Sequence, residues 1–225
     1  MSPATVLVVG GASGIGRAVV AELSGDYEVE TLSRRAVGVE GFVHHSADAS
    51  DPAQVAAVLE GHAPFDHLVV TAATTPTGSL AQLSDEQART AVQNKFWLSY
   101  TLARDVAWTR SLTLTSGYLS ARPGQASALQ SAINAGIEGL ARAIARELAP
   151  ARVNCVSPGT VDSGLWDALP AHRREAVLRG ASERSLLGRP GTPADVARAV
   201  RFAIECEYLT GETVFVDGGA RWGGA

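Results

Sequence analysis

The chain is short of the residues that would commit it to several common classes. It has two cysteines in 225 residues, Cys155 and Cys206, far apart in the sequence. That excludes a disulfide framework and a cysteine-rich zinc module, and fits thiols in a reducing compartment. Net charge is only −4, so there is no electrostatic case for a nucleic-acid or anionic-membrane partner. No apolar run is long enough to span a bilayer. Met1-Ser2-Pro3 opens without the basic-then-apolar pattern of a secretory signal. We therefore expect a cytoplasmic protein with no nucleic-acid and no membrane partner. The five histidines show no His-x-x-x-His spacing, so no metal site is expected. There is no internal repeat and no low-complexity tract.

Apolar residues are plentiful, at 46%, enough for a sizeable core. The length suits a single domain over 1–225, with a small lid at about 160–190. Short apolar strands alternate with helices. Strands are expected at Val6–Val9, Glu28–Leu32, Gly41–Ser46, His67–Val70, Ser111–Thr115, Arg152–Ser157 and Glu212–Val216. Helices are expected at Arg17–Leu23, Asp51 to Glu60, Ser84 towards Arg104, Ala126–Leu148, Pro170–Arg179 and Ala194–Glu205. Ser84 to Gln87 has the form of a capping box, and Pro52 and Pro193 suit helix first turns. Strands and helices in alternation give a doubly wound α/β fold, a Rossmann-like parallel sheet with helices on both faces. Such sheets bind ligands at the carboxyl ends of their strands.

The first strand runs into Gly10-Gly11-Ala12-Ser13-Gly14-Ile15-Gly16-Arg17. A strand, a glycine-rich turn and a helix in that order make a dinucleotide cradle. Gly10 permits the tight turn, Gly14 lets backbone approach a pyrophosphate, and Gly16 lets the helix pack close to the sheet. Ala12, Ser13, Ile15 and Arg17 complete the loop at a helix N-terminus that attracts phosphate. The second strand ends Ser33-Arg34-Arg35, with no carboxylate to take a ribose 2′-hydroxyl. Two guanidiniums and a hydroxyl suit a 2′-phosphate, so NADP(H) is expected over NAD(H). Asp48, beside Ala49, is placed to accept from an adenine amino group, whereas Asp51 reads as a helix cap.

These segments, taken with others along the chain, resemble the short-chain dehydrogenase/reductase family over essentially its whole length. Asp66 to Ala73 is similar to that family's Asn-Asn-Ala-Gly strand end, which puts Ala72 and Ala73 beside the cofactor. Asn94 falls at the family's water-holding helix asparagine. Arg152 to Gly159 is similar to the segment before the nicotinamide, which implies cofactor roles for Pro158, Gly159, Val161 and Ser163. Gly188 to Pro193 and Thr210 to Gly219 resemble its C-terminal signature. The resemblance implies a homodimer or homotetramer.

The family's chemistry uses Ser, Tyr and Lys, the last two spaced Tyr-x-x-x-Lys on the long helix. The resemblance assigns the serine to Ser116. It puts Gln130 at the tyrosine and Asn134 at the lysine, four residues apart and so on one helix face. Gln cannot donate a titratable proton, although Asn134 could still hold the nicotinamide ribose. Tyr118 is the nearest alternative acid. A missing general acid costs about 10²–10⁴-fold in rate. Three readings follow. One is an NADP(H)-dependent oxidoreductase acting on a small carbonyl, imine or enone with an atypical site. A second is a non-redox cyclase, isomerase or dehydratase that keeps NADP(H) as scaffold. A third is a catalytically silent NADP(H)-binding protein. Leu165, Trp166 and Leu169, in the loop over the pocket, suit an apolar or aromatic substrate.

Overall fold

The computed structural model describes residues 3–36, 41–73 and 75–223. Seven strands form one parallel sheet: β1 (Thr5–Val9), β2 (Glu28–Ser33), β3 (Val43–Ser46), β4 (Phe65–Val70), β5 (Trp108–Thr115), β6 (Arg152–Pro158) and β7 (Thr213–Val216). Their order is β3-β2-β1-β4-β5-β6-β7. Part of the third expected strand, residues 37–40 being just before it, adjoins chain outside the described residues.

Side-chain alternation divides the strands between two cores. Leu7 and Val9 join Leu32, Leu68, Leu112 and Leu114 on one face. Val6 and Val8 join Val29, Val69 and Val156 on the other. Each fully buried Leu or Val contributes about 1.5–3 kcal/mol relative to exposure, and burial on both faces explains the unbroken apolar runs. Helix α1 (Gly14–Leu23) and helix α7 (Pro193–Glu205) cover the second face through Val19, Val20, Leu23, Val196 and Val200. Helix α2 (Pro52–Val58), helix α4 (Leu98–Asp105) and helix α5 (Ala128–Glu147) cover the first through Val55, Leu102, Ile133, Ile137 and Ala141.

Capping follows the sequence. Asp51 accepts from the Ala53 and Gln54 amides. Ser84 and Gln87 form a capping box at helix α3 (Asp85–Ala91), and Thr192 and Asp195 do the same at α7. Two helices depart from expectation. The stretch from Ser84 towards Arg104 is not one α-helix, because a π-helical turn, Val92–Trp97, separates α3 from α4. Helix α6 (Ala171–Arg184) runs past the expected end at Arg179, through Gly180, because Ala181 is buried and carries the helix on.

Chain order reverses between β1 and β4, which opens a crevice at their carboxyl ends. There the Thr71 amide and hydroxyl both donate to the Val9 carbonyl, each at 2.9 Å.

Candidate active site

The glycine loop is built around close backbone contact. Gly10 has φ +90°, and a Cβ there would lie 2.7 Å from the Ala72 amide nitrogen. A Cβ on Gly16 would lie 2.1 Å from the Gly10 carbonyl oxygen. The first turn of α1 can therefore sit directly on the end of β1 only with glycine at both positions. Ser13 precedes α1 without making a side-chain cap, so first-turn amides keep donors for a phosphate. Ala12 and Ile15 fill the loop between these glycines. Sequence reasoning passed over Gly11, whose Cβ would meet Thr31 Cγ2 at 2.9 Å.

The loop after β6 closes over this cradle. Val161 bridges to Gly191, and the Ser163 carbonyl would lie 3.0 Å from a Cβ on Gly14. Arg174 of α6 pairs with Asp162 at 2.7 Å and Asp167 at 3.0 Å, tying the loop to that helix. Gly14, Arg17, Asp162, Ser163 and Arg174 line an open cleft of about 580 Å³. Pro158 ends β6, and the Gly159 amide donates to Val216. Trp166 is half-buried with its indole N–H on the Val161 carbonyl, while Leu165 is exposed. Trp166 therefore braces the loop.

On the adenosine side, Ser33 ends β2 and its hydroxyl donates to the Arg35 carbonyl at 2.8 Å. Arg34 and Arg35 follow at the exposed carboxyl end of the strand. Asp48 holds its own loop: one oxygen accepts from the Ser50 hydroxyl at 2.7 Å and the Ser50 amide at 2.9 Å. Those bonds keep its carboxyl below the usual range. Ala49 and Ala72 both pack against the first-face core, and Ala73 follows Ala72.

The expected catalytic residues do not all converge. Gln130 and Asn134 share a face of α5, but their side chains turn to different partners. Gln130 Nε2 donates to the Pro76 carbonyl, and its Oε1 is buried with no partner. Asn134 is only 4% exposed, with its Oδ1 accepting from Lys95 Nζ at 2.7 Å. Its Nδ2 lies against Gly117, where a Cβ would come within 2.9 Å. A ribose role for Asn134 is thus confined to its amide nitrogen. Asn94 is half-buried in the π-helical turn, and Tyr118 is half-buried in a single 3-10 turn, Tyr118–Ser120.

Two residues that sequence reasoning missed complete the site. Ser116 is buried, and its hydroxyl donates to Glu138 Oε1 at 2.8 Å. The same oxygen accepts from Ser120 at 2.6 Å and from Ser157 at 3.4 Å. Ser116 therefore presents its proton to a buried carboxylate. Lys95 Nζ also donates to the Ser116 carbonyl at 2.9 Å. Burial pushes its ammonium down to about 8, while the Cys155 thiol and Glu138 oppose the drop. Burial likewise pushes the Cys155 thiol up to about 12, so it is inert there.

A composition signal pointed at Lys95. It is the only lysine among 19 lysines and arginines, and it sits where an ammonium is costly to bury. The π-helical turn that aims it inward is a feature frequent at functional sites. Glu138 had no such signal, because it lies within an Ala-Gly-Ile-Glu-Gly-Leu stretch that reads as helix packing.

The fold brings together histidines that the sequence separates. Glu30, His45 and His62 come from three separate segments, and one ligand atom from each lies within 4.8 Å of the others. Among the described residues, no helix is long and apolar enough to cross a membrane.

Comparison with known proteins bears on the fold and the family. The family model described as enoyl-(acyl carrier protein) reductase matches residues 10–221. A small-chain dehydrogenase solved in complex with NADPH is 35% identical, with TM-score 0.87, covering 99% of this chain and 100% of that one. The 3-oxoacyl-(acyl-carrier-protein) reductase MabA of Mycobacterium bovis is 30% identical over 97% of this chain and 93% of its own. The short-chain dehydrogenase/reductase ucsE of Acremonium sp. is 29% identical over 96% of this chain and 94% of its own. A cradle at the β1/β4 switch point, a buried serine after β5 and full-length similarity converge: the chain belongs to the short-chain dehydrogenase/reductase family of NAD(P)-dependent oxidoreductases.

Proposed function

We propose that this protein is an NADP(H)-dependent reductase of small carbonyl, imine or enone compounds, with Ser116 and Glu138 handling the proton. The observation that carries the proton assignment is the 2.8 Å bond from Ser116 to a Glu138 oxygen that gathers three hydroxyls. Gln130 and Asn134 stand where the family has Tyr and Lys, and neither titrates.

The residues fit the cofactor. The uncapped start of α1 and the glycine contacts suit a pyrophosphate, Arg34 and Arg35 suit a 2′-phosphate, and the unpartnered Gln130 Oε1 suits a donor on cofactor or substrate. NADP(H), when bound, supplies or receives the hydride. The chain's own residues do the rest. In the reducing direction Ser116 passes its hydroxyl proton to the substrate heteroatom and takes one from a protonated Glu138 carboxyl, which is left as the carboxylate and regains a proton from water before the next turnover. In the oxidising direction the Glu138 carboxylate takes the proton that Ser116 receives from the alcohol. Lys95 balances the carboxylate charge and, through Asn134, fixes the start of α5 against the strand end. Side-chain truncation at such a relay costs about 10²–10⁴-fold.

Carbonyl reduction is supported by the relative named for 3-oxoacyl reduction, and NADP(H) by the relative solved with NADPH. The single domain with a lid at about 160–190, and assembly as a homodimer or homotetramer, belong to the same reading. The test is a panel of ketones, imines and enones, with loss of the reduced-nicotinamide absorbance as readout. NADPH-dependent turnover of a carbonyl or enone, with NADH much poorer, supports it. A panel member that isomerises, cyclises or loses water while NADPH stays unconsumed moves the protein to the non-redox reading.

A further inference from the structure

The Glu30, His45 and His62 group lies away from the catalytic serine, and nothing in the reaction uses it. Glu30 is in mid-strand β2, on the first-face core, with a side chain only 9% exposed. A carboxylate buried among leucine and valine side chains needs a cationic partner. His45 of β3 shares this face and brings Nε2 to 2.6 Å from Glu30 Oε2. His62 arrives from the turn between α2 and β4. Gly61, at φ +73°, reverses the chain there, and the His62 amide bonds back to Leu59. His62 Nε2 then lies 3.2 Å from Glu30 Oε1.

The second nitrogen of His62 discriminates between uses of the group. Its Nδ1 lies 2.6 Å from the Ala63 carbonyl. A carbonyl can only accept, so Nδ1 carries the proton. In the neutral ring, Nε2 then presents a lone pair towards the Glu30 carboxylate. Two acceptors facing each other are repulsive, so the contact calls for a positive charge, either a proton on Nε2 or a metal ion between the groups. A histidine whose far nitrogen is tied to a backbone carbonyl is the usual outer-shell arrangement of a metal ligand. The ring is also fixed by stacking on Phe65, with centroids 4.3 Å apart, and by an edge contact to His45 at 5.8 Å.

We propose that Glu30, His45 and His62 form a binding site for a borderline divalent cation of the zinc class. Two imidazoles and one carboxylate are a ligand set that zinc accepts, with bond lengths near 2.0–2.2 Å. Tetrahedral ligands at those lengths stand about 3.3 Å apart. The His45 and His62 nitrogens approach different oxygens of Glu30, Oε2 and Oε1, so an ion seated between the rings would be met by both carboxylate oxygens. His62 is 28% exposed, which gives an incoming ion a path from solvent. Bound there, the ion would pin β2, β3 and the α2–β4 turn together.

The test uses chelator-treated full-length protein titrated with zinc by calorimetry, and with cobalt followed by its visible d–d absorption. One zinc per chain, four- or five-coordinate cobalt bands and a raised unfolding temperature support the site. H62A keeps the fold, because His62 is partly exposed in a turn, and should abolish stoichiometric zinc binding and the cobalt bands. E30Q, which keeps the shape and removes the charge, should weaken zinc at least about 10-fold. The proposal is overturned if wild type takes up no stoichiometric metal. It is also overturned if H62A and E30Q bind zinc as wild type does, which would put the ion elsewhere.

Discussion

Replacing Glu138 with glutamine separates geometry from proton transfer. Glutamine has the size of glutamate, and its amide oxygen can occupy the place of Oε1. It can therefore accept from Ser116, Ser120 and Ser157, now at 2.8, 2.6 and 3.4 Å. What it loses is the titratable proton and the negative charge. If the carboxyl supplies the proton that Ser116 passes on, kcat should fall about 10²–10⁴-fold, a barrier rise of about 3–5 kcal/mol. NADPH affinity should hold, because the phosphate and adenosine contacts lie on β1, α1 and the end of β2. Losing the anion also removes one of the groups that hold the Lys95 ammonium up at about 8, so it titrates lower still. The assay is steady-state turnover and calorimetric NADPH binding on both proteins across pH 6–10 (about, bracketing the ordinary histidine and lysine range). A variant that binds NADPH and turns over within about threefold of wild type, with the same pH profile, refutes the relay.

Four other substitutions probe the rest of the account. Tyr118→Phe should leave kcat within about threefold, and a 100-fold loss (about the low end for removing an acid) would hand the proton to Tyr118. Arg34→Ala should weaken NADPH about 10- to 100-fold while barely changing NADH, and equal loss for both in calorimetry would remove the 2′-phosphate assignment. Gly16→Ala pushes a methyl to 2.1 Å from the Gly10 carbonyl. It should abolish nucleotide binding and lower the unfolding temperature; unchanged binding would mean the loop is laxer than it looks. Lys95→Met tests the buried ammonium through stability. The folded-state value lies near 8 against an ordinary 10.5, so the folded chain holds fewer protons than the unfolded chain between those pH values. Stability of the wild type should therefore rise with pH across that window, by at most about 3 kcal/mol. Denaturant titrations at both ends should show the rise in wild type and a flat line in Lys95→Met, and parallel lines would contradict the enclosed ammonium.

The fold was largely legible, and for identifiable reasons. Central strands buried on both faces leave continuous apolar runs, which made β1, β4 and β6 plain, whereas the edge strand β3, Val-His-His-Ser, has no buried residue; Ser84, Asp51 and Thr192 announced their helix starts through capping chemistry. The π-helical turn at Val92–Trp97 has no local signature. Within it Phe96 packs against Gly136, where a Cβ would lie 3.1 Å away, a tertiary contact that no local pattern announces. The end of α6 was misjudged because Gly180 reads as a stop in isolation, whereas burial of Ala181 outweighs a glycine's cost of about 1 kcal/mol. The cofactor loop was legible because backbone geometry dictates its glycines. The buried polar cluster was only half legible: Ser116 and Asn134 fall at positions the resemblance singles out, whereas Lys95 and Glu138 reach them only through tertiary contact. The same holds for Glu30, His45 and His62, whose ligand spacing exists only in the folded sheet.

The central claim is that hydride moves from NADPH to a substrate carbon. The most direct measurement is product analysis after turnover with NADPH deuterated at one face of nicotinamide C4, using any carbonyl or enone that the panel identifies. One deuterium is expected in the product from one face only, with label transfer slowed in step with kcat in Glu138→Gln. Product formed without label from either face would contradict that claim.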